Sequence, residues 1–239
     1  MGGSLKSRPV TEPEYPHLRP TAELAERVLL PGDPERAMRL AHALLEEPRM
    51  FNHTRGLWGY TGRAPDGEPM TIQSTGMGGP SAAIVITELV AMGVRRAVRV
   101  GTCGALDPAL ELGELIVATE AVAADGTSRA LGGGERVPAD HGLTAALRSA
   151  APDARAGAVV SVDLFYEAGE PGAGRDGLAV EMEAATLFAI GASGPLAAGC
   201  LLIVSDTFAP NGTRARIGDE ALAAAAERMG AAALAALSG

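Results

Sequence analysis

The sequence predicts an α/β fold in which helices cover both faces of a largely parallel or mixed sheet. Short continuous apolar runs alternate with helical segments, and Gly and Pro punctuate the junctions between them. At 239 residues and 47% hydrophobic content the chain is long enough for one substantial core. One domain is expected over residues 17–239, after a tail at 1–16 rich in Gly, Pro, Ser and charge that is expected to be disordered.

The elements follow in order. The run RVLL at residues 27–30 reads as a buried strand that breaks at Gly32 into a helix over 34–46, begun by Pro34 and carrying Arg36 on its first turn. A strand at 70–74 runs through Gly76, Met77, Gly78 and Gly79 into a helix over 80–92. Strands at 97–100 and 115–123 precede a helix at 143–150, and strands at 157–162 and 179–182 precede one at 184–190. A strand at 201–204 and an Ala-rich helix over 219–237 complete the chain. Gly-rich stretches at 132–134 and 169–177 read as surface loops, the second a candidate flap.

The bulk numbers exclude several function classes. A net charge of −9 and a pI near 5.0 argue against a nucleic-acid groove, so a bound anion must be held by a local cluster of arginines. Cys103 and Cys200 are far apart and lack metal-ligand spacing, which argues against a disulfide scaffold or a metal site and for a reducing cytoplasm. No apolar leader and no apolar run of spanning length is read, so no membrane partner is expected.

In α/β sheets ligands collect beyond the carboxyl ends of the strands. There the first strand delivers Gly32 and Arg36, where a helix N-terminus, a close backbone approach and a guanidinium form an anion pocket, unless the turn is a plain connection. Arg99 lies inside the apolar run Val98, Arg99, Val100, which calls for an internal salt bridge or a bound anion; Gly101 and Thr102 beside it favour the anion. Later strands bring acids. Glu181 and Glu183 suit the vicinal hydroxyls of a sugar, although one of them can instead be a helix N-terminal acid. Ser205 and Asp206 end another strand, and Phe165 and Tyr166 offer a platform for a planar base or ordinary packing.

Seven motifs occur in order: PGDP with Arg36, NHTRGLWGYTG with Arg55, GMGGPS, RVGTCGA, SVDLFY, EMEAA and VSD. Together they resemble the nucleoside phosphorylase-I family of bacterial purine nucleoside and uridine phosphorylases. The resemblance implies a three-layer α/β/α sandwich around a mixed, barrel-like sheet, assembled as trimers or hexamers built from dimers whose partners complete each other's sites. It implies phosphate held by Gly32, Arg36, Arg99 and Thr102, with Arg55 arriving from the neighbour. Ribose would be held by Glu183 and Met182, with Met77 flanking it, Glu181 close by, and His17 reaching over from the neighbouring subunit. Phe165, Ser205 and Asp206 would meet the base, with Asp206 as proton donor oriented by Ser205.

Orthophosphate is itself an anionic nucleophile, so it enters as co-substrate and no other cofactor is expected. Two departures from the family pattern stand out. The arginine that assists the aspartic acid in purine-specific relatives falls near Asp219 in this chain, whereas Arg214 and Arg216 lie earlier. The Gln-x-Arg element of uridine phosphorylases is missing from residues 167–177. The proton donor Asp206 and the missing uracil-reading element favour purine nucleosides, with uridine or methylthioadenosine as the alternative substrate.

Overall fold

The computed structural model describes residues 15–166, 174, 176–209 and 213–239. Most of the tail at 1–16 and of the candidate flap at 169–177 therefore lies outside the described residues.

The chain runs β1 (Arg27–Leu30), α1 (Pro34–Leu44), β2 (Glu46–Asn52), a 3-10 turn (Thr54–Gly56), β3 (Gly59–Arg63), β4 (Pro69–Gln73), α2 (Gly79–Ala91) and β5 (Arg96–Ala105). It continues with β6 (Leu115–Ala123), α3 (Gly126–Ala130), β7 (Arg136–Pro138), α4 (His141–Ala150), β8 (Arg155–Ser161), β9 (Ala179–Glu181), α5 (Ala184–Ser193), β10 (Ala197–Phe208), β11 (Arg214–Arg216) and α6 (Asp219–Ser238). Strands β5, β10, β6, β8 and β9 pair in a closed ring, giving a five-stranded barrel. From β5 the sheet extends outward through β1, β4, β3 and β2. β1 is parallel to β4 and β5, and β10 is parallel to β5 but antiparallel to β6, so the sheet is mixed.

Helices lie on both faces, which is why the strands read as unbroken apolar runs. Val28, Leu30, Leu202 and Val204 pack with Val85, Leu89 and Phe188 of α2 and α5. Their neighbours Leu29, Leu201 and Ile203 point the other way, onto Leu40, Leu147, Met229 and Leu237 of α1, α4 and α6. This is the three-layer α/β/α arrangement.

Several boundaries differ from the sequence expectation. β5 runs through Gly101, Thr102, Cys103 and Gly104 because these residues keep their pairing with β10, and Ser205 and Asp206 likewise lie within β10. The sequence pattern gives no sign of β2: its charged run EEPRMFN, with an internal proline, suits only the sheet edge it occupies. β11 is three exposed residues, too short for a pattern to register. α6, contrary to the expectation that no run reaches spanning length, is 20 residues and apolar enough to cross a membrane by length and composition. Its apolar side is instead part of the core against β10, β5 and α4, and Arg96 donates to its Leu237 carbonyl at 2.8 Å.

Candidate active site

The carboxyl ends of β1, β5, β9 and β10 open into one cavity of about 680 Å³. Gly32, Arg36, Arg55, Arg99, Thr102, Met77, Glu181, Met182, Glu183, Phe165, Ser205 and Asp206 all line it within one chain, whereas two residues expected at the site, His17 and Tyr166, do not.

The part of the cavity lined by Arg36, Arg55 and Arg99 is built on Arg99. β5 carries it, 5% exposed, on the α2 and α5 side of the sheet. Its Nε donates to Glu181 Oε2 at 2.9 Å and its Nη2 forms an ion pair with Glu183 Oε2 at 2.5 Å, so the internal salt bridge is real. The remaining Nη1 lies beside Gly32, about 4.0 Å from where a side chain there would begin. Gly101 makes this placement possible, since a Cβ on it would stand 2.7 Å from Arg99 Nη2. Burial alone would lower the Arg99 pKa, but Glu183 and Glu181 more than offset it and hold the guanidinium charged. Arg36 has its pKa lowered chiefly by burial, opposed by Asp33 and assisted by the Arg99 charge.

One part of the expected anion pocket is already filled. Asp33 is the N-cap of α1, and its carboxylate accepts from the backbone N–H groups of Glu35 and Arg36. These two donors of the helix N-terminus are thus satisfied internally, which leaves the Arg36, Arg99 and Arg55 side chains and the close backbone at Gly32 to meet an anion.

The two glutamates divide their roles. Glu181 is expected near ribose, but Ser161 Oγ and the backbone N–H groups of Glu183 and Ala184 saturate its oxygens together with Arg99. It caps α5 and anchors Arg99, and has no acceptor left for a sugar. Ser161, a polar end to the apolar strand β8, is the residue that reading the sequence leaves without a role; it also accepts from Ala185 N–H at 2.9 Å. Glu183 is ion-paired with Arg99, accepts from Gly78 N–H and lines the cavity. Burial raises its pKa, with Arg99 opposing. Gly78 and Gly76 reach this position with φ of 84° and 72°, which glycine adopts at little cost.

The far end holds Asp206, 6% exposed, on β10. Ser205 Oγ lies 2.7 Å from Asp206 Oδ2 and 3.1 Å from the Cys103 carbonyl, and its single proton can serve one of them at a time. β11 lies antiparallel to β10 and brings Arg214 Nε to Asp206 Oδ1 at 2.8 Å. The same guanidinium sits over the Phe165 ring at 5.1 Å. Arg214, not Arg216, is therefore the arginine at Asp206. Phe165 is half exposed at the cavity, while Tyr166 stacks edge-on against it and is 91% exposed.

His17 lies elsewhere. Its Nδ1 is 2.7 Å from Glu88 Oε1 on α2, outside the cavity of its own chain. Arg55, expected from a neighbouring subunit, lines the cavity of its own chain. Both cysteines are free and buried.

Comparison with known proteins identifies the family. The phosphorylase superfamily model matches residues 26–238, from the start of β1 to the end of α6. A DeoD-type purine nucleoside phosphorylase from Geobacillus kaustophilus is 40% identical over 201 residues, 78% of this chain and 83% of its own length. Another from Alkaliphilus metalliredigens is 37% identical over 205 residues, 80% of this chain and 86% of its own. A uridine phosphorylase from Thermococcus kodakarensis is 37% identical over 225 residues, 82% of this chain and 79% of its own. With a family match that takes in every strand and helix of the fold, and relatives aligned over most of both chains, the protein belongs to the phosphorylase superfamily.

Proposed function

We propose that the protein is a pentosyltransferase that cleaves purine nucleosides with orthophosphate, giving the free base and ribose or deoxyribose 1-phosphate in nucleoside salvage. The observation that carries this reading is the charge lining one cavity: Arg36, Arg55 and Arg99, the last ion-paired with Glu183, share it with the Asp206–Arg214 pair.

In this reading phosphate binds against Arg36, Arg55, Arg99, Thr102 and the Gly32 backbone. Glu183 accepts from the ribose hydroxyls, beside Met182 and Met77, and the base rests on Phe165. Phosphate oxygen attacks C1′ as the N-glycosidic bond breaks, and the cationic character of the opening sugar is met by the adjacent phosphate charge. Asp206 delivers a proton to purine N7, and Arg214 at 2.8 Å stabilises the carboxylate left behind. Orthophosphate is the co-substrate and no organic cofactor or metal is called for. Nothing in the acidic composition suits nucleic acid.

We assign the enzyme to the cytoplasm, in keeping with its two free cysteines. We also assign it a homo-oligomer, trimer or hexamer, in which His17 reaches a neighbour's cavity; its position outside its own cavity and the exposure of Met77 (87%) and Tyr166 (91%) support this. The Thermococcus relative keeps uridine as the second reading. Base release from inosine, adenosine, methylthioadenosine and uridine, with and without phosphate, tests the assignment. Purine release that requires phosphate supports it, and uridine consumed first replaces it with the second reading.

A further inference from the structure

Asn52 ends β2 and Gln73 ends β4; both side chains are fully buried, and neither lines the cavity. They converge on one atom. The Leu57 carbonyl accepts from Asn52 Nδ2 at 2.6 Å and from Gln73 Nε2 at 3.0 Å. Leu57 directly follows the turn that carries Arg55, whose φ of 58° and ψ of 20° put a non-glycine residue in the left-handed region. Such a conformation persists only where the surroundings over-determine it. Asn52 supplies further constraint, since its Oδ1 accepts from Thr54 N–H at 3.3 Å and from Arg19 N–H at 2.9 Å.

Gln73 carries a second sign of purpose. Its other hydrogen bond goes to the Ser74 carbonyl at 2.9 Å, and its buried Oε1 has no partner. Gly59 leaves room for that oxygen, because a Cβ there would collide with it. A leucine would fill the same volume without an orphaned acceptor, so the amide is retained for its donor and not for packing.

We propose that Asn52 and Gln73 are positioning residues for phosphate use: by gripping the Leu57 carbonyl they hold the strained turn that aims Arg55 into the cavity. This rests on the reading of Arg55 as a phosphate ligand. The test uses the full-length protein with inosine saturating and phosphate varied. Gln73→Leu removes the donor and the orphaned acceptor; Asn52→Asp keeps the acceptor for Arg19 and Thr54 but loses the donor to Leu57. Each is expected to raise the phosphate KM about tenfold, the scale of a sub-ångström to ångström misplacement, with kcat within about twofold. Added to Arg55→Ala, neither raises KM by more than about twofold further, because the group they position is already gone.

An unchanged KM in either folded variant overturns the proposal, as does an effect that multiplies with Arg55→Ala, or an Arg55→Ala variant with unaltered KM. If one variant does not fold the other decides; if neither folds, the amides serve the fold and the proposal falls. Phosphate-independent cleavage by the unaltered enzyme would instead sink the functional reading itself, whereas phosphate-dependent cleavage with unmoved variants sinks only the amide clamp.

Discussion

Replacing Gly101 with alanine adds one methyl group where the structure has no room for it. The new Cβ would lie 2.7 Å from Arg99 Nη2 and 2.8 Å from Cζ, against an ordinary contact that begins near 3.4 Å. Nη2, the nearest guanidinium atom, must therefore retreat by about 0.7 Å. The guanidinium cannot do so freely, because Glu181 at 2.9 Å and Glu183 at 2.5 Å hold it in a buried site. Stretching one charge-assisted hydrogen bond beyond use costs about 1.5–3 kcal/mol, which for a chain of this size lowers Tm by roughly 3–12 °C. Moving a phosphate-facing cation by this distance costs on the order of 10- to 100-fold in kcat/KM for phosphate. Steady-state kinetics with phosphate varied, together with thermal unfolding of the same preparation, measure both quantities. A Gly101→Ala enzyme with unaltered kcat/KM for phosphate and unaltered Tm would show that Arg99 is not fixed between its two glutamates and the β5 backbone.

Other perturbations have distinct signatures. Asp206→Asn keeps the shape but carries no proton to give, so purine turnover should fall by about two orders of magnitude or more while phosphate affinity, read by isothermal titration, stays unchanged; a matching loss of phosphate affinity contradicts the division of the cavity. Glu181→Gln leaves Arg99 with one charged partner in a buried site and should cost about 3 kcal/mol in stability, seen as a lower denaturation midpoint in urea. The same denaturation carried out on Ser161→Ala should show a smaller loss, since that change removes one neutral donor from Glu181 and the acceptor of Ala185 N–H but leaves both charges paired. Asp66, bound through both oxygens to Arg27, is held below the usual carboxylate range by that hydrogen-bonded pair, with Ser238 second. A depressed pKa gives stability that is present above the unfolded value, about pH 4, and lost as pH falls through the folded one. The Tm difference between the unaltered protein and Asp66→Asn should therefore be full at pH 7 and shrink at pH 3; a difference that grows in acid reverses the sign and refutes the assignment.

How much of the fold and site is legible in the sequence depends on the kind of signal each element carries. β1, β6 and the start of α1 can be placed to the residue because predominantly apolar runs, with strand-forming Val, Ile and Leu, and the Gly32–Pro34 break leave one reading. β2 and β11 cannot, since an edge strand buries little and three exposed residues have no periodicity. At the site, the strand-end rule collects Gly32, Arg36, Arg99, Ser205 and Asp206, which line the cavity, but it also offers Tyr166, which does not, and residue type alone cannot divide Glu181 from Glu183. That division depends on which carboxylate meets Ser161 and the first N–H groups of α5. The N-cap role of Asp33 is within reach, as an aspartate directly before Pro34 is a familiar helix start, and it corrects the expectation of a free helix N-terminus. The pairing of Arg214 with Asp206 is beyond reach, because the antiparallel register sets Arg216 opposite Asp206 and the Arg214 side chain reaches across diagonally from opposite Phe208.

The central claim is that the arginine end of the cavity holds the nucleophile, and the identity of the sugar product tests it most directly. Phosphorus NMR of the purified enzyme with inosine and orthophosphate should show ribose 1-phosphate growing one for one with hypoxanthine, and no hypoxanthine release when phosphate is left out. Free ribose formed at the same rate in either buffer would mean that water is the nucleophile, and that Arg36, Arg55 and Arg99 do not form a phosphate site.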